Sequence, residues 1–209
     1  MSGKIILHHA APSRSSTALF MIEEVGAPYE LDVLDLQKEE QYRPEYLAIN
    51  PMGKVPAIEH EGQVITEAGA ICAYLADAFP AANLAPLPGD PLRGLYFRWM
   101  FFQGSCLEPA IIDHVLKREP GRRGMMPYGT YETTVDTLEK AIEKGPWFLG
   151  ERYSAADVYV GSAIAWGLQF KLLPERETFK RYVGRLNERP ARQRAMSIDQ
   201  KLMAAAKPA

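Results

Sequence analysis

A proline directly behind a β-branched residue, at the entry to a short apolar run, constrains this chain more than any other feature: Val55-Pro56-Ala57-Ile58. Proline donates no backbone hydrogen bond, so within a sheet it is confined to strand starts, edges or bulges. A cis Val55-Pro56 bond would turn the N–H and C=O of Val55 outward, where an extended peptide could pair with them. The segment before it, Asn50-Pro51-Met52-Gly53-Lys54, is dense in turn formers, and Thr66-Glu67-Ala68 follows a second apolar strand, Val64-Ile65, and opens a helical pattern. A helix start presents unpaired N–H groups and the positive end of the helix dipole, which suits a carboxylate. Together these stretches read as a small peptide clamp, with backbone on one side and an anion nest on the other.

Periodicity extends that nucleus into an α/β unit. Lys4 to His9 is a short buried strand that stops at Ala11-Pro12-Ser13; Ser13 to Glu24 has helical spacing, with Ala18, Leu19, Ile22 and Val25 on one side and Gly26 closing it. Tyr29 to Leu34 alternates as a strand, Lys38 to Ala48 predicts a short or irregular helix, and Val55 to Glu59 and Gln63 to Ile65 predict two strands joined at Glu61-Gly62. Glu67 to Phe79 predicts a helix with Ala70, Ile71, Tyr74 and Leu75 as its apolar face. From Pro80 to Pro91 the pattern lapses into four prolines and no periodicity, which marks a linker. The expected organisation is therefore an α/β domain over 1–79, a linker over 80–90 and an all-helical domain over 91–209. Helices are predicted from Pro91 to about Lys117 with a bend at Pro109, then over Pro127–Lys144, Ser154–Phe170, Glu175–Glu188 and Pro190–Met203, with a frayed end from Ala204. Ser154-Ala155-Ala156-Asp157 has the spacing of a capping box, which makes Asp157 a helix-start residue rather than a catalytic acid.

Asn50-Pro51-Met52-Gly53-Lys54-Val55-Pro56-Ala57-Ile58, then Glu67-Ala68-Gly69-Ala70-Ile71, resembles the glutathione-binding half of the cytosolic glutathione transferases. Trp147-Phe148-Leu149-Gly150 ahead of the capping box resembles the family's second half. The resemblance runs from Ile5 to about Arg194. It implies a thioredoxin-like domain followed by a helical bundle, a homodimer, and glutathione as co-substrate for attack on a small, largely apolar electrophile. Val55, with Pro56, would pair with the cysteinyl backbone; Glu67 and Ala68 would receive the γ-glutamyl end. Lys54 is the favoured candidate for the glycine carboxylate, ahead of Lys38 and Gln41. The family usually has Ser or Thr where this chain has Ala68, a loss of one hydroxyl donor worth about 0.5–1.5 kcal/mol.

A transferase must also make thiolate near neutral pH. Lowering a free thiol from about 8.5 by two units takes roughly 2.7 kcal/mol. A hydroxyl donor at a helix N-terminus is an adequate source. The first strand–helix turn offers Ser13, Ser15, Ser16 and Thr17 but neither cysteine nor tyrosine, and Pro12-Ser13-Arg14-Ser15 is similar to the S-R-S motif of a bacterial and fungal branch. Ser13 is the first candidate for the sulfur and Ser15 the second, although either also suits a helix cap. Arg14 would add positive potential. The electrophile site is expected between the halves, with Phe97, Phe101 and Trp166 as candidates and Met100, Phe102 and Phe170 behind them. The same apolar spacing also fits core or subunit interface.

Other chemistries lack support. A net charge of -2 gives no case for nucleic acid or an anionic membrane, and the Lys117-Arg118 and Arg122-Arg123 cluster reads as a solvated loop. Two cysteines, Cys72 and Cys106, without C-x-x-C spacing predict a reducing, cytoplasmic setting and no zinc. His8 and His9 point to opposite faces of a strand, so they do not share a metal, and no metal is expected. No apolar run reaches the roughly 18 residues of a membrane helix, and no signal core precedes Ile5. Two rival functions remain: peroxide reduction by bound glutathione, and a non-catalytic glutathione- or ligand-binding protein.

Overall fold

The computed structural model describes residues 3–119 and 121–206. Pro120 of the basic cluster and the last three residues of the expected frayed end lie outside the described residues. The chain divides into two compact units: the described residues up to Asn83 together with those from Arg189 onward, and Leu84–Glu188.

In the first unit, β1 (Ile5–His9) lies between β2 (Tyr29–Val33) and β3 (Ala57–His60), and β4 (Gln63–Thr66) closes the edge, giving the order β2-β1-β3-β4. β1 runs parallel to β2, pairing Ile5 with Tyr29, and antiparallel to β3, pairing Leu7 with Ile58. The parallel pair requires a crossover, supplied by α1 (Ser15–Val25). Gly26 ends that helix at φ 69°, its N–H donating to the carbonyl of Ile22 at 3.0 Å. The β3–β4 hairpin turns through Glu61 and Gly62, both at positive φ as a type I′ turn demands. Before the hairpin, the polar stretch forms two one-turn 3-10 helices and α2 (Pro44–Ile49); after it, α3 (Ala68–Ala78) packs back on β3 and β4. This is a four-stranded mixed sheet in a thioredoxin-like domain, as expected.

α1 is buried around most of its circumference, with Leu19, Phe20, Met21 and Ile22 all inaccessible. It packs chiefly against β1, α3 and α9 (Pro190–Ala205). Each such side chain contributes about 1.5–3 kcal/mol when fully buried, so the helix is held far more by packing than by propensity. The presence of α9 here corrects the expected division of the chain. Its position is fixed by side chains that local periodicity does not reveal. Arg189 forks onto Glu24, with Nη2 donating to Oε2 at 2.7 Å; Arg194 Nε donates to Glu23 at 2.6 Å; the Arg192 guanidinium lies over the Phe20 ring. α9 also continues as helix to Ala205, past the point where fraying was expected.

The second unit is all helix. The expected long helix is α4 (Arg93–Phe102), a π-helical turn over Gln103–Leu107, and α5 (Glu108–Val115). Pro109 cannot donate to a carbonyl one turn back, and the ladder loosens directly before it. α6 (Tyr131–Ile142) begins four residues later than expected, because Thr130 is extended and its hydroxyl accepts from the Thr133 N–H at 3.1 Å. α7 (Ala155–Gln169) and α8 (Glu177–Asn187) complete the unit. The predicted linker is not loose: the Leu84 carbonyl accepts from the Ala155 N–H at 2.8 Å, and the Ala85 carbonyl from Arg152 at 3.1 Å. No helix among the described residues is long and apolar enough to cross a membrane.

Ser154 and Asp157 form the capping box, with the Ser154 N–H donating to Oδ2 at 2.9 Å. The other carboxylate oxygen accepts from the Phe148 N–H at 2.9 Å and the Tyr182 hydroxyl at 2.8 Å. Asp157 thus binds the start of α7 to α8 and to the Trp147–Gly150 turn.

Candidate functional site

Three segments of the first unit carry the polar groups that the sequence singles out. The first is the turn between β1 and α1. Ser13, half-buried, receives the Ser15 N–H on its Oγ at 3.0 Å and sits 2.7 Å from the Ser15 Oγ. Ser15 is fully buried. Its Oγ accepts from the Ala10 N–H at 3.0 Å and lies 3.0 Å from the Ala10 carbonyl and 2.8 Å from His9 Nδ1. His9 Nε2 in turn lies 2.9 Å from the carboxylate of Asp199 on α9. Arg14 projects to the exposed side of the turn. The preceding Ala11-Pro12 bond is cis, which the sequence reading did not anticipate.

The second segment is the clamp. Val55-Pro56 is cis, and neither the N–H nor the C=O of Val55 is hydrogen-bonded to another described residue. The residue before it is locked: the Lys54 carbonyl accepts from the Tyr46 hydroxyl at 2.6 Å and from Asn50 Nδ2 at 2.7 Å. Asn50 also caps its own turn, its Oδ1 accepting from the Met52 N–H at 3.1 Å. Burial pushes the Tyr46 hydroxyl up to about 12, so it remains a donor across the physiological range. Gly53 stands at φ 59°, and a Cβ there would meet the Tyr42 ring at 2.6 Å. The turn therefore needs glycine on two counts.

The third segment is the start of α3. The N–H groups of Ala68, Gly69 and Ala70 have no backbone partner among the described residues. Glu67, exposed, holds φ 66° and ψ 116°, a conformation that costs a residue with a Cβ on the order of 1–3 kcal/mol. The first amides of the helix and the carboxylate of Glu67 thus come from one short stretch. The arrangement can hold an extended peptide backbone, a carboxylate and an ammonium, and can present one hydroxyl to a nearby acidic proton.

Among the cations considered for a carboxylate, Lys54 is exposed, whereas Lys38 is tied to Asp35 at 2.9 Å. Phe97 and Phe101 stand on the exposed side of α4, their rings 6.4 Å apart, and Trp166 is half-buried against Phe170 at 4.6 Å. None of the three lines a cavity of about 340 Å³ in the second unit, whose walls include Leu95, Trp99, Phe148, Arg98, Lys140 and Lys144. Cys72 is fully buried, and burial pushes its thiol up, away from thiolate. Among the described residues, no group of three or more His, Cys, Asp or Glu is set to hold a metal ion.

His9, Asp199, Asn50 and Tyr46 are polar groups of this region that sequence reasoning did not assign. Asn50 was visible within the Asn-Pro-Met-Gly turn, and an Asx turn there was a fair inference. Asp199 gave no signal, since 190 residues separate it from His9.

Residues 4–77 match the family model for the glutathione S-transferase N-terminal domain, and residues 131–190 match that for the C-terminal domain. The chain is 30% identical over 207 residues to the disulfide-bond oxidoreductase YfcG of Escherichia coli, with 92% of this chain and 94% of YfcG covered. It is 38% identical over 195 residues to protein LigF of Sphingobium sp., covering 75% of this chain and 76% of LigF. A glutathione transferase homologue from sulfitobacter, solved with bound glutathione, superposes with a TM-score of 0.75 at 27% identity, covering 95% of this chain and 98% of that one. Both family domains are thus present in order on the sheet and helices that carry the clamp, and the chain belongs to the cytosolic glutathione S-transferase family.

Proposed function

We propose that this protein is a glutathione transferase that forms the glutathione thiolate on Ser13 and delivers it to a small, largely apolar electrophile. The observation that carries this reading is the half-buried Ser13 hydroxyl at the head of α1, in a turn without a cysteine. With no protein thiol there, the reacting sulfur is glutathione's own. Ser15 is fully buried, so the contact to sulfur falls to Ser13 and Ser15 supports it from behind. The free N–H and C=O of Val55 pair with the cysteinyl residue. Glu67 takes the ammonium of the γ-glutamyl end, and the amide of Ala68 takes its carboxylate. Lys54, with Arg14, supplies positive charge, and the exposed rings of Phe97 and Phe101, with Trp166, receive the apolar substrate. The working form is a homodimer, by analogy with the family.

A second reading draws on the similarity to YfcG: the same bound thiolate reduces a disulfide or peroxide instead of being transferred. The two diverge in product. Turnover of an aryl halide or alkyl halide with loss of glutathione thiol and a thioether product by mass spectrometry supports transfer. Oxidised glutathione accumulating with a small disulfide or peroxide, without thioether from any electrophile, supports reduction. Glutathione binding with neither product would leave only a binding protein.

Ala68 gives an independent check on the γ-glutamyl contact. Ala68→Ser restores the hydroxyl that the family usually has, and glutathione affinity measured by calorimetry is expected to tighten up to about tenfold, as one added hydrogen bond to a charged group allows. Unchanged affinity would place the γ-glutamyl end elsewhere.

A further inference from the structure

Behind Ser13 runs an unbroken chain of polar contacts: Ser13 Oγ to Ser15 Oγ at 2.7 Å, Ser15 Oγ to His9 Nδ1 at 2.8 Å, and His9 Nε2 to Asp199 Oδ1 at 2.9 Å. Its middle is sealed and its ends reach the surface: Ser15 and His9 have no exposed surface, Ser13 is half-buried, and the Asp199 side chain is 15% exposed. The acidic proton of a bound thiol would meet this chain at Ser13. We propose that the chain is a proton relay, through which His9 takes up the glutathione thiol proton and Asp199 holds the resulting imidazolium. This rests on the transferase reading above and adds His9 and Asp199 to it, as residues that act through Ser13 and Ser15 without touching substrate.

Donor and acceptor counting favours this over a passive strut. An ionised Asp199 can only accept, so Nε2 of His9 carries hydrogen and Nδ1 of the neutral ring must accept. Two acceptors compete for the Ser15 hydroxyl hydrogen, the Ala10 carbonyl at 3.0 Å and Nδ1 at 2.8 Å; when it turns to the nearer Nδ1, its lone pairs accept from the Ala10 N–H and from the Ser13 hydroxyl. In this resting state every donor points inward. Ser13, already accepting from the Ser15 N–H, has only a lone pair to offer a ligand. Such an end accepts a thiol proton but has no hydrogen with which to stabilise a thiolate.

Moving each proton by one bond resolves this. The thiol proton passes to Ser13 Oγ as the Ser13 proton passes to Ser15 and the Ser15 proton to His9 Nδ1. One S–H bond breaks and one N–H bond forms, so a neutral thiol and imidazole become a thiolate and an imidazolium. Ser13 now donates to the thiolate, Ser15 to Ser13, and both imidazolium N–H groups are matched, one by Ser15 and one by Asp199. In water this transfer is uphill by about a hundredfold, from the reference acidities of the two groups. The Asp199 charge against the ring and the Ser13 hydrogen bond to sulfur both act to offset that. Among the described residues His9 meets the Ser15 hydroxyl from α1, pairs with Val33 on β2 and has an ion pair with Asp199 from α9; Asp32 and Glu59 pair with His8, the preceding residue of β1.

A relay keeps the thiol proton inside the protein, whereas a hydroxyl donor alone expels it to solvent. The test is to mix the wild-type protein with glutathione near pH 7 in weak buffer, following thiolate by ultraviolet absorbance and protons by an indicator dye. The expected result is thiolate formation with well under one proton released per thiolate. Asp199→Asn retains an acceptor for Nε2 but removes the charge. In that variant the thiolate fraction near pH 7 is expected to fall about tenfold, and the residual thiolate to release a full proton. One proton released per thiolate by the wild type overturns the relay and leaves Ser13 as a simple donor. An Asp199→Asn protein with an unshifted thiol titration overturns it as well. If glutathione binds with no thiolate at all, the transferase reading falls and takes the relay with it.

Discussion

Replacing Ser13 by alanine should leave the fold intact and raise the titration of bound glutathione by about one to two pH units, toward the free thiol. A hydrogen bond to a charged sulfur is worth about 1.5–3 kcal/mol, and each 1.36 kcal/mol moves the titration by about one unit. At neutral pH that corresponds to a roughly ten- to hundredfold loss of thiolate and a similar loss of kcat/KM for transfer. The loss should shrink as pH rises past the free thiol's own titration, because solution thiolate then no longer needs the hydroxyl. Affinity should change much less, since the backbone of Val55 and the start of α3 do not depend on this side chain. Ser15→Ala differs in kind: it opens a buried gap between Ala10, His9 and Ser13 and should lower stability along with activity. A pH–rate profile of Ser13→Ala identical to the wild type would remove Ser13 from the chemistry.

Asp157→Ala should be the most damaging single change to the fold, at about 3–5 kcal/mol, because it leaves the Phe148 N–H, the Tyr182 hydroxyl and the Ser154 N–H buried without an acceptor. Tyr182→Phe removes one donor while the box persists, and should lose less. The same carboxyl predicts a pH signature. Burial pushes Asp157 up to about 6 against a reference of 3.8, although four hydrogen bonds oppose the shift. A carboxyl titrating higher in the folded state binds its proton more tightly there than in the unfolded chain. Its contribution to stability is therefore greatest below about pH 4, declines as pH rises to about 6, and is constant above that. Urea midpoints of Asp157→Asn should lack that decline, even though the variant is less stable overall. A wild-type midpoint that rises over this window relative to Asp157→Asn would show that the hydrogen bonds outweigh burial.

Much of this protein is written locally. The strands and helices of the first unit follow from short periodic runs and from turn residues with one physical solution: Gly26 and Gly62 at positive φ, and Pro56 at the entry to β3. The break at Val55-Pro56 and the helix start at Glu67 were legible for the same reason, since both are local conformations that a few residues specify. The Ser154–Asp157 box was read in full because its partners lie three residues apart. Errors in helix ends were equally local, as where α6 begins at Tyr131, capped by Thr130, rather than at Pro127.

What only the tertiary structure decided concerns partners that are distant in sequence. Nothing near Pro190 says that α9 packs on α1; that follows from Arg189 finding Glu24 and Arg194 finding Glu23 across the full length of the chain. The proline-rich stretch looked like a free linker because periodicity cannot show that the carbonyls of Leu84 and Ala85 are taken by Ala155 and Arg152. Two serines two residues apart were both candidates as hydroxyl donors, yet one is half-buried and the other lies fully buried against His9. Asp199 joined them only when α9 came to rest on α1. Local sequence fixes backbone conformation, because that depends on the sterics of a few neighbouring residues. The environment of a buried polar group depends on whatever the folded chain carries to it, and that is settled by packing.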